Sequence, residues 1–513
     1  MRIEKSIKNV AAASIGQMLS YILGFISRMI FIKMLGSDYL GINGVFTNIL
    51  TVLSILELGM GASITIFLYK PIAEKNYPLV NSLLKYYKSY YNKLGIVVSI
   101  LALCLIPFLK FIIKEELPDI NVIAVYIIFI IINVIPYFVA SYKTLIDVRQ
   151  ERYIINIIHY IVNIIMIGFQ ILALLLYKNY YVYLALQLIF LIIENAIIVF
   201  VYDKKYKYKT NKTEKLDEGM KLNVRKKMKS MVAQQAGLIV LSSTDSIVIS
   251  SMIGVKTVGI YSNYNLIISI IDTILSQIFA AIQSTVGNLY VTENIEKTYS
   301  IYKNISFINF WMVAICITEL FSLVDPFIGI WLGKEYIMDF KVVIIMIINL
   351  MIMGLNRTSY IYKYGIGIIE KDKYASIIGA ILNIGISIFL ANRVGLIGIF
   401  IGTTISILLT KTFVEPYILY KYVFKKNFLK WVLNYLLQVF LIGVICTLCY
   451  VFNLNINTSN VILDFIIKGV ITFVVSNAII MIFSIKTPEC RYFFGIISTF
   501  FNKIFKKVKD KAN

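Results

Sequence analysis

Charged side chains set within long apolar tracts are the places where this chain could do chemistry. Arg28 and Lys33 lie in a tract running from Val10 to Leu35. Glu57, Glu194, Asp245, Asp272, Glu319, Arg357, Lys411, Glu415 and Lys468 lie in later ones. A charge at the centre of a membrane-spanning helix costs roughly 2.5–3.5 kcal/mol on insertion scales, so it is retained where a partner or a wet cavity receives it. Several have modest readings. Lys33 can snorkel to the outer interface. Lys411 and Glu415, four residues apart on one helical face, can neutralise one another. Glu194, Glu319 and Lys468 stand near tract ends, and His159 reads as a structural hydrogen bonder. Arg28 and Asp245 are deeper. Either they form a static ion pair, or a cation for an anionic substrate faces a carboxylate for ion coupling.

Enzyme chemistry finds little support. The sequence carries no HExxH, GxSxG or P-loop pattern, and a single histidine leaves no His-rich metal site. Cys446 and Cys449 form a CxxC inside an apolar tract with no second pair nearby, which reads as packing. No cofactor or resident metal is expected. Without a nucleotide site, transport would draw on a partner ATPase or an ion gradient, with Na+ or H+ as the candidate ion.

The elements that position these charges follow from hydropathy. Of 513 residues, 59% are hydrophobic and 15% charged, with a mean hydropathy of +0.80. A soluble chain of that length needs more polar surface. Apolar tracts long enough to cross a ~30 Å hydrocarbon core recur from end to end. Helices are predicted at 10–34, 43–68, 90–113, 121–146, 154–176, 180–202, 230–252, 259–289, 304–325, 340–363, 374–391, 396–420, 430–452 and 462–485. The first tract is too long for a signal-peptide core and reads as the first span.

Charge placement tests this all-α map of about fourteen helices independently. With the N-terminus inside, 38 of the 50 Lys and Arg fall on the cytoplasmic side and 7 outside. Inserting or losing one helix would invert the later loops and spoil that asymmetry. Both termini are therefore expected in the cytoplasm. The net charge of +22 has the same origin, so no nucleic-acid partner is implied; anionic lipids are the expected contacts of the basic loops.

The chain also looks duplicated. A shift of 218 aligns Met34-Leu35-Gly36 with Met252-Ile253-Gly254 and Gly41-Ile42 with Gly259-Ile260; it also sets Asp245 beside Ser27, next to Arg28. Nearby shifts pair Pro107-Phe108 with Pro326-Phe327. The predicted organisation is a first six-helix lobe (1–203), a basic cytoplasmic linker (204–229), a second lobe (230–421), two extra helices (422–486) and a basic tail (487–513). Copies with an even number of spans share one topology, so a pseudo-two-fold along the membrane normal would relate them. Within the tail, Phe501, Ile504, Phe505 and Val508 share a face opposite lysines, predicting an interfacial amphipathic helix.

Particular stretches carry a resemblance. Glu57-Leu58-Gly59-Met60-Gly61-Ala62-Ser63 and Phe67-Leu68-Tyr69-Lys70-Pro71 lie in the second helix and its exit. Thr244-Asp245-Ser246 and Val258-Gly259-Ile260-Tyr261-Ser262-Asn263-Tyr264 follow in the seventh and eighth. The chain resembles Wzx-type polysaccharide repeat-unit flippases of the MOP superfamily, relatives of MATE antiporters and lipid II flippases, along essentially its whole length. The resemblance implies a multi-pass protein of the cell membrane, working as a monomer alongside other polysaccharide assembly proteins. Its cargo would be an oligosaccharide on undecaprenyl diphosphate. Arg28 matches the basic residue that receives the anionic head group, with Arg357, Lys33 and Lys411 as further candidates. Asp245, Glu57 and Asp272 are the candidates for ion coupling or charge pairing. A MATE-type drug exporter, a lipid II flippase and a membrane glycan polymerase are the competing readings. The polymerase fits worst, because the external loops are short.

Overall fold

The computed structural model describes residues 2–495 and 498, apart from 58–59, 115–119, 207–212, 215, 369, 373, 457 and 459. The described residues form helices and no strand. Unit 1 spans Met1–Ser262 and unit 2 spans Asn263–Asn513. Unit 1 contains α1 (Arg2–Leu35), α2 (Ser37–Leu53), α3 (Met60–Ala73), α4 (Tyr77–Cys104), α5 (Leu109–Ile112), α6 (Val122–Val148), α7 (Arg152–Tyr177), α8 (Tyr180–Lys205) and α9 (Glu218–Met252). The boundary falls inside α10 (Val255–Thr292). Unit 2 continues with α11 (Ile295–Trp331), α12 (Phe340–Ile366), α13 (Ala375–Val394), α14 (Leu396–Ile407), α15 (Val414–Ile418), α16 (Phe428–Leu454) and α17 (Val461–Ser484).

Among the described residues, twelve helices are long and apolar enough to cross a membrane, which makes this a polytopic membrane fold. The predicted spans 121–146, 180–202 and 462–485 appear as α6, α8 and α17, with ends displaced by at most three residues. Two of the fourteen predicted spans take another form. The 43–68 tract breaks into α2, a 3₁₀ turn at Ser54–Glu57, and α3. The Ser54 hydroxyl donates back to the Thr51 carbonyl at 2.7 Å, a local bond that competes with the helical ladder where the chain also carries Glu57. The 230–252 tract is the second part of α9, whose first turns are built from the basic segment starting at Glu218. Lys, Arg, Met and Glu are good helix formers, so much of the predicted linker is helix rather than loop. The predicted tail helix over 501–509 lies outside the described residues.

Short connections are written in asparagine and aspartate. Asn76, Asn121, Asn179, Asn294, Asp339, Asn427 and Asn460 each cap a helix, their side chains accepting from backbone N–H groups two or three residues on. Each satisfies a donor that would otherwise be orphaned near the membrane surface. Deeper in unit 2, polar pairs tie helices together where the hydrophobic effect between them is weak. Trp311 Nε1 donates to Asn477 Oδ1 at 2.9 Å, and the Thr318 and Ser476 hydroxyls meet at 2.9 Å, both joining α11 to α17.

The repeated glycines explain themselves within unit 1. Gly36 (φ 96°) and Gly254 (φ 139°) break the chain before α2 and before α10, in conformations that a side chain would strain. A Cβ on Gly41 would lie 2.0 Å from the Val255 carbonyl oxygen, and one on Gly259 would lie 2.1 Å from that of Ser37. The 218-residue shift maps Gly41 onto Gly259 and Ser37 onto Val255. The two contacts are therefore mirror partners, as a local two-fold requires, and the duplicated glycines let repeat-related backbones touch. Gly259→Ala is expected to destabilise the protein by at least about 1–3 kcal/mol, because backbone must move. Gly24→Ala, where a Cβ meets nothing within 4 Å, serves as the neutral control. Thermal melts of the detergent-solubilised variants compare the two.

Candidate functional site

In unit 1, Arg28 sits half-buried in α1, where its guanidinium donates to the Ser262 hydroxyl. That hydroxyl donates in turn to the Gly259 carbonyl at 2.7 Å, and Tyr183 of α8 is within electrostatic reach of Arg28. The repeat-related glycine crossing thus also positions the arginine's partner. Asp245 of α9 is buried and acts electrostatically on Tyr261. Glu57 closes the 3₁₀ turn among tyrosines: Tyr91 of α4 donates to its carboxylate at 3.4 Å, and Tyr137 of α6 also bonds it. Lys33 is exposed in the last turn of α1.

In unit 2, two of the predicted residues find each other. Arg357 of α12 forms an ion pair with Asp272 of α10. The arginine side chain is 8% exposed and the aspartate 37%. Arg357 Nη1 is buried without a hydrogen-bond partner, so the guanidinium depends on this one carboxylate. Substitution should therefore be asymmetric. Asp272→Ala strands a buried cation and is expected to cost about 3 kcal/mol. Arg357→Met keeps the volume and leaves a carboxylate that is only partly buried, so a smaller loss of about 1 kcal/mol is expected. Chemical denaturation of the two variants side by side measures the difference.

Lys411 and Glu415 do not pair. Lys411 lies in a π-helical stretch, Leu408–Thr412, and the chain re-enters α-helix at Val414. Thr412 Oγ1 donates five residues back, to Ile407 O at 3.2 Å, which marks the widened turn. That irregularity spoils the four-residue register on which the expected pairing rested. The Glu415 carboxylate instead accepts from Lys363 Nζ at 2.7 Å and Asn356 Nδ2 at 2.8 Å, and Lys363 also contacts Asp372 at 2.5 Å. Lys411 remains half-buried within electrostatic reach of the group. The result is a buried cluster of two cations and two carboxylates.

Unit 1 carries a counterpart. Lys143 of α6 lies 3.9 Å from Glu194 of α8, and His159 Nδ1 of α7 lies 3.0 Å from the same carboxylate. Offsets of 220 and 221 relate Lys143 to Lys363 and Glu194 to Glu415, close to the glycine shift. The fourth and sixth predicted spans of each repeat are tied by a lysine and a glutamate.

A family model described as "Polysaccharide biosynthesis protein" matches residues 6–283, more than half of the sequence. The chain belongs to the polysaccharide biosynthesis protein family. Solved structures share its fold. A lipid II flippase, MurJ, in an inward closed conformation is 16% identical with a TM-score of 0.65, over 92% of this chain and 99% of that one. A multidrug-resistance MATE transporter of the MOP superfamily, inward-facing, is 15% identical with a TM-score of 0.62, over 79% and 96%. A Vibrio cholerae MATE transporter is 12% identical with a TM-score of 0.54, over 82% and 99%. No curated protein matches the chain. At these identities the likeness is one of fold.

Within this family member, sequence reasoning missed Lys363, Asp372 and Asn356. Lys363 is the last residue of its predicted span, where a lysine is unremarkable, and Asp372 lies in a 3₁₀ turn between spans. The sequence offers only that the shift sets Lys143 near Lys363 and Glu194 near Glu415, matching residue types without showing that they meet.

Proposed function

We propose that this chain is a flippase that carries oligosaccharide repeat units on undecaprenyl diphosphate from the inner to the outer leaflet by alternating access. The observation that carries this reading is the polysaccharide-biosynthesis family match on a polytopic helical fold of transporter type. The physics of such a cargo asks for what this chain supplies. A diphosphate cannot cross hydrocarbon unaided, so its head group needs a polar, cationic reception within the membrane. Arg28 leads the candidates for that role, since it sits half-buried in the first span against a hydroxyl. Arg357 is held by Asp272 and Lys411 lies within electrostatic reach of Glu415, so both are secondary, and Lys33, expected at the outer end of the first span, suits a late contact on the release side. Asp245 and Glu57 are the carboxylates for Na+ or H+ coupling. The protein would act as a monomer in the cytoplasmic membrane, both termini inside, alongside other assembly proteins.

Deleting the gene tests the reading. Lipid-linked repeat units should accumulate on the inner leaflet while surface glycan falls. Unchanged surface glycan with altered drug resistance would instead identify a MATE-type exporter, and accumulation of lipid II a peptidoglycan flippase.

A further inference from the structure

Unit 2 holds a cavity of about 500 Å³ between α11, α16 and the end of α17. Its three walls repeat one ordering. Along α16, Lys430 and then Asn434 come first, Leu437 and Gln438 follow side by side, and Leu441 lines the deeper part. Along α11, Lys303 and Ser306 give way to Phe307 and Phe310. From the C-terminal side, Glu489, Thr487 and Ser484 precede Phe483 and Ile480. Each wall passes from charge, through hydroxyl or amide, to hydrocarbon, and all three run in the same direction from the same end. That end is the one where Lys421, Lys425, Lys426 and Lys486 also cluster, and the positive-inside rule assigns it to the inner leaflet. Trp431 and Tyr420 supply the amphipathic rings typical of the membrane interface.

Charge sets the ligand class. Lys303 is paired with Glu489 at 3.2 Å, whereas Lys430 is exposed and makes no ion pair among the described residues. The mouth therefore keeps one net positive charge, which a single phosphate diester neutralises. Amides and hydroxyls stand where glycerol and ester oxygens would follow, and exposed Leu437 and Phe483 lead onward to acyl chains. We infer that this cavity is a binding site for one anionic glycerophospholipid of the inner leaflet, its phosphate on Lys430 and Lys303. The inference goes beyond the proposed transport activity and holds whatever the cargo is.

Native mass spectrometry of the delipidated full-length protein tests it, using phosphatidylglycerol and phosphatidylcholine of matched chains. Phosphatidylglycerol should be retained roughly 5-fold better or more, as one net positive charge at the mouth implies. The variant carrying Lys303→Gln and Lys430→Gln should fall to the phosphatidylcholine level. The variant carrying Lys421→Gln and Lys486→Gln, basic at the same end but outside the cavity, should keep the preference. Should the first variant lose its wild-type melting profile, Lys430→Gln alone decides, its side chain being exposed. Equal retention of the two lipids, or an unchanged preference in the cavity variant, overturns the assignment. So does displacement of phosphatidylglycerol by equimolar undecaprenyl phosphate, which would give the cavity to the cargo.

Discussion

Replacing Glu415 with alanine is expected to lower the unfolding free energy by about 3–5 kcal/mol, the largest stability effect of any single substitution considered. Glu415 is 4% exposed and Lys363 3%, so neither ion can turn to water when the other is removed. Truncation leaves the Lys363 ammonium with Asp372 as its remaining carboxylate, and leaves Asn356 Nδ2 with only a long 3.4 Å contact to the Lys411 carbonyl. Each buried polar group left without a partner adds a penalty of its own. The matched change Glu415→Leu with Lys363→Met should recover most of the loss, because a buried ion pair replaced by hydrocarbon of similar volume is often neutral or stabilising. A double-mutant cycle by chemical denaturation in detergent reads the coupling directly. If Glu415→Ala melts like Lys33→Ala, an exposed change, the cluster does not hold unit 2 together.

The second large effect concerns transport. Arg28→Ala is expected to abolish delivery of surface polysaccharide while the protein still inserts and accumulates in the membrane. Loss of a charge-assisted hydrogen bond of about 1.5–3 kcal/mol corresponds to roughly 10- to 100-fold weaker head-group binding. Arg28→Lys should rescue partially. It keeps the charge but loses the planar fork that grips two phosphate oxygens, and it reaches Ser262 with a different geometry. Protein level by immunoblot and surface glycan by lectin labelling separate folding from function. Wild-type glycan in Arg28→Ala cells would sink the role given to this residue.

Sequence alone determined much of this protein. Hydropathy places the spans, because a membrane helix must be apolar for its whole length and a loop must not, so α6, α8 and α17 end within three residues of expectation. Polar caps mark the starts for the same local reason. Gly41 and Gly259, which the 218-residue shift aligns, are both positions where backbone contact leaves room for no side chain. Tertiary structure alone decided which charges meet. Arg357 and Asp272 are 85 residues apart, and Lys363 and Glu415 are 52 apart. Nothing in spacing announces either pair, because helix-to-helix partners depend on packing rather than on period. The expected Lys411 and Glu415 pairing assumed a regular helix, and a π-helical turn removed the register on which it rested. Charges deep within spans, such as Arg28, Asp245 and Arg357, are visible in the sequence, whereas Lys363 at a span end and Asp372 between spans are not. Partners require the fold, since the low dielectric that makes a charge conspicuous also makes its neighbour a property of three dimensions.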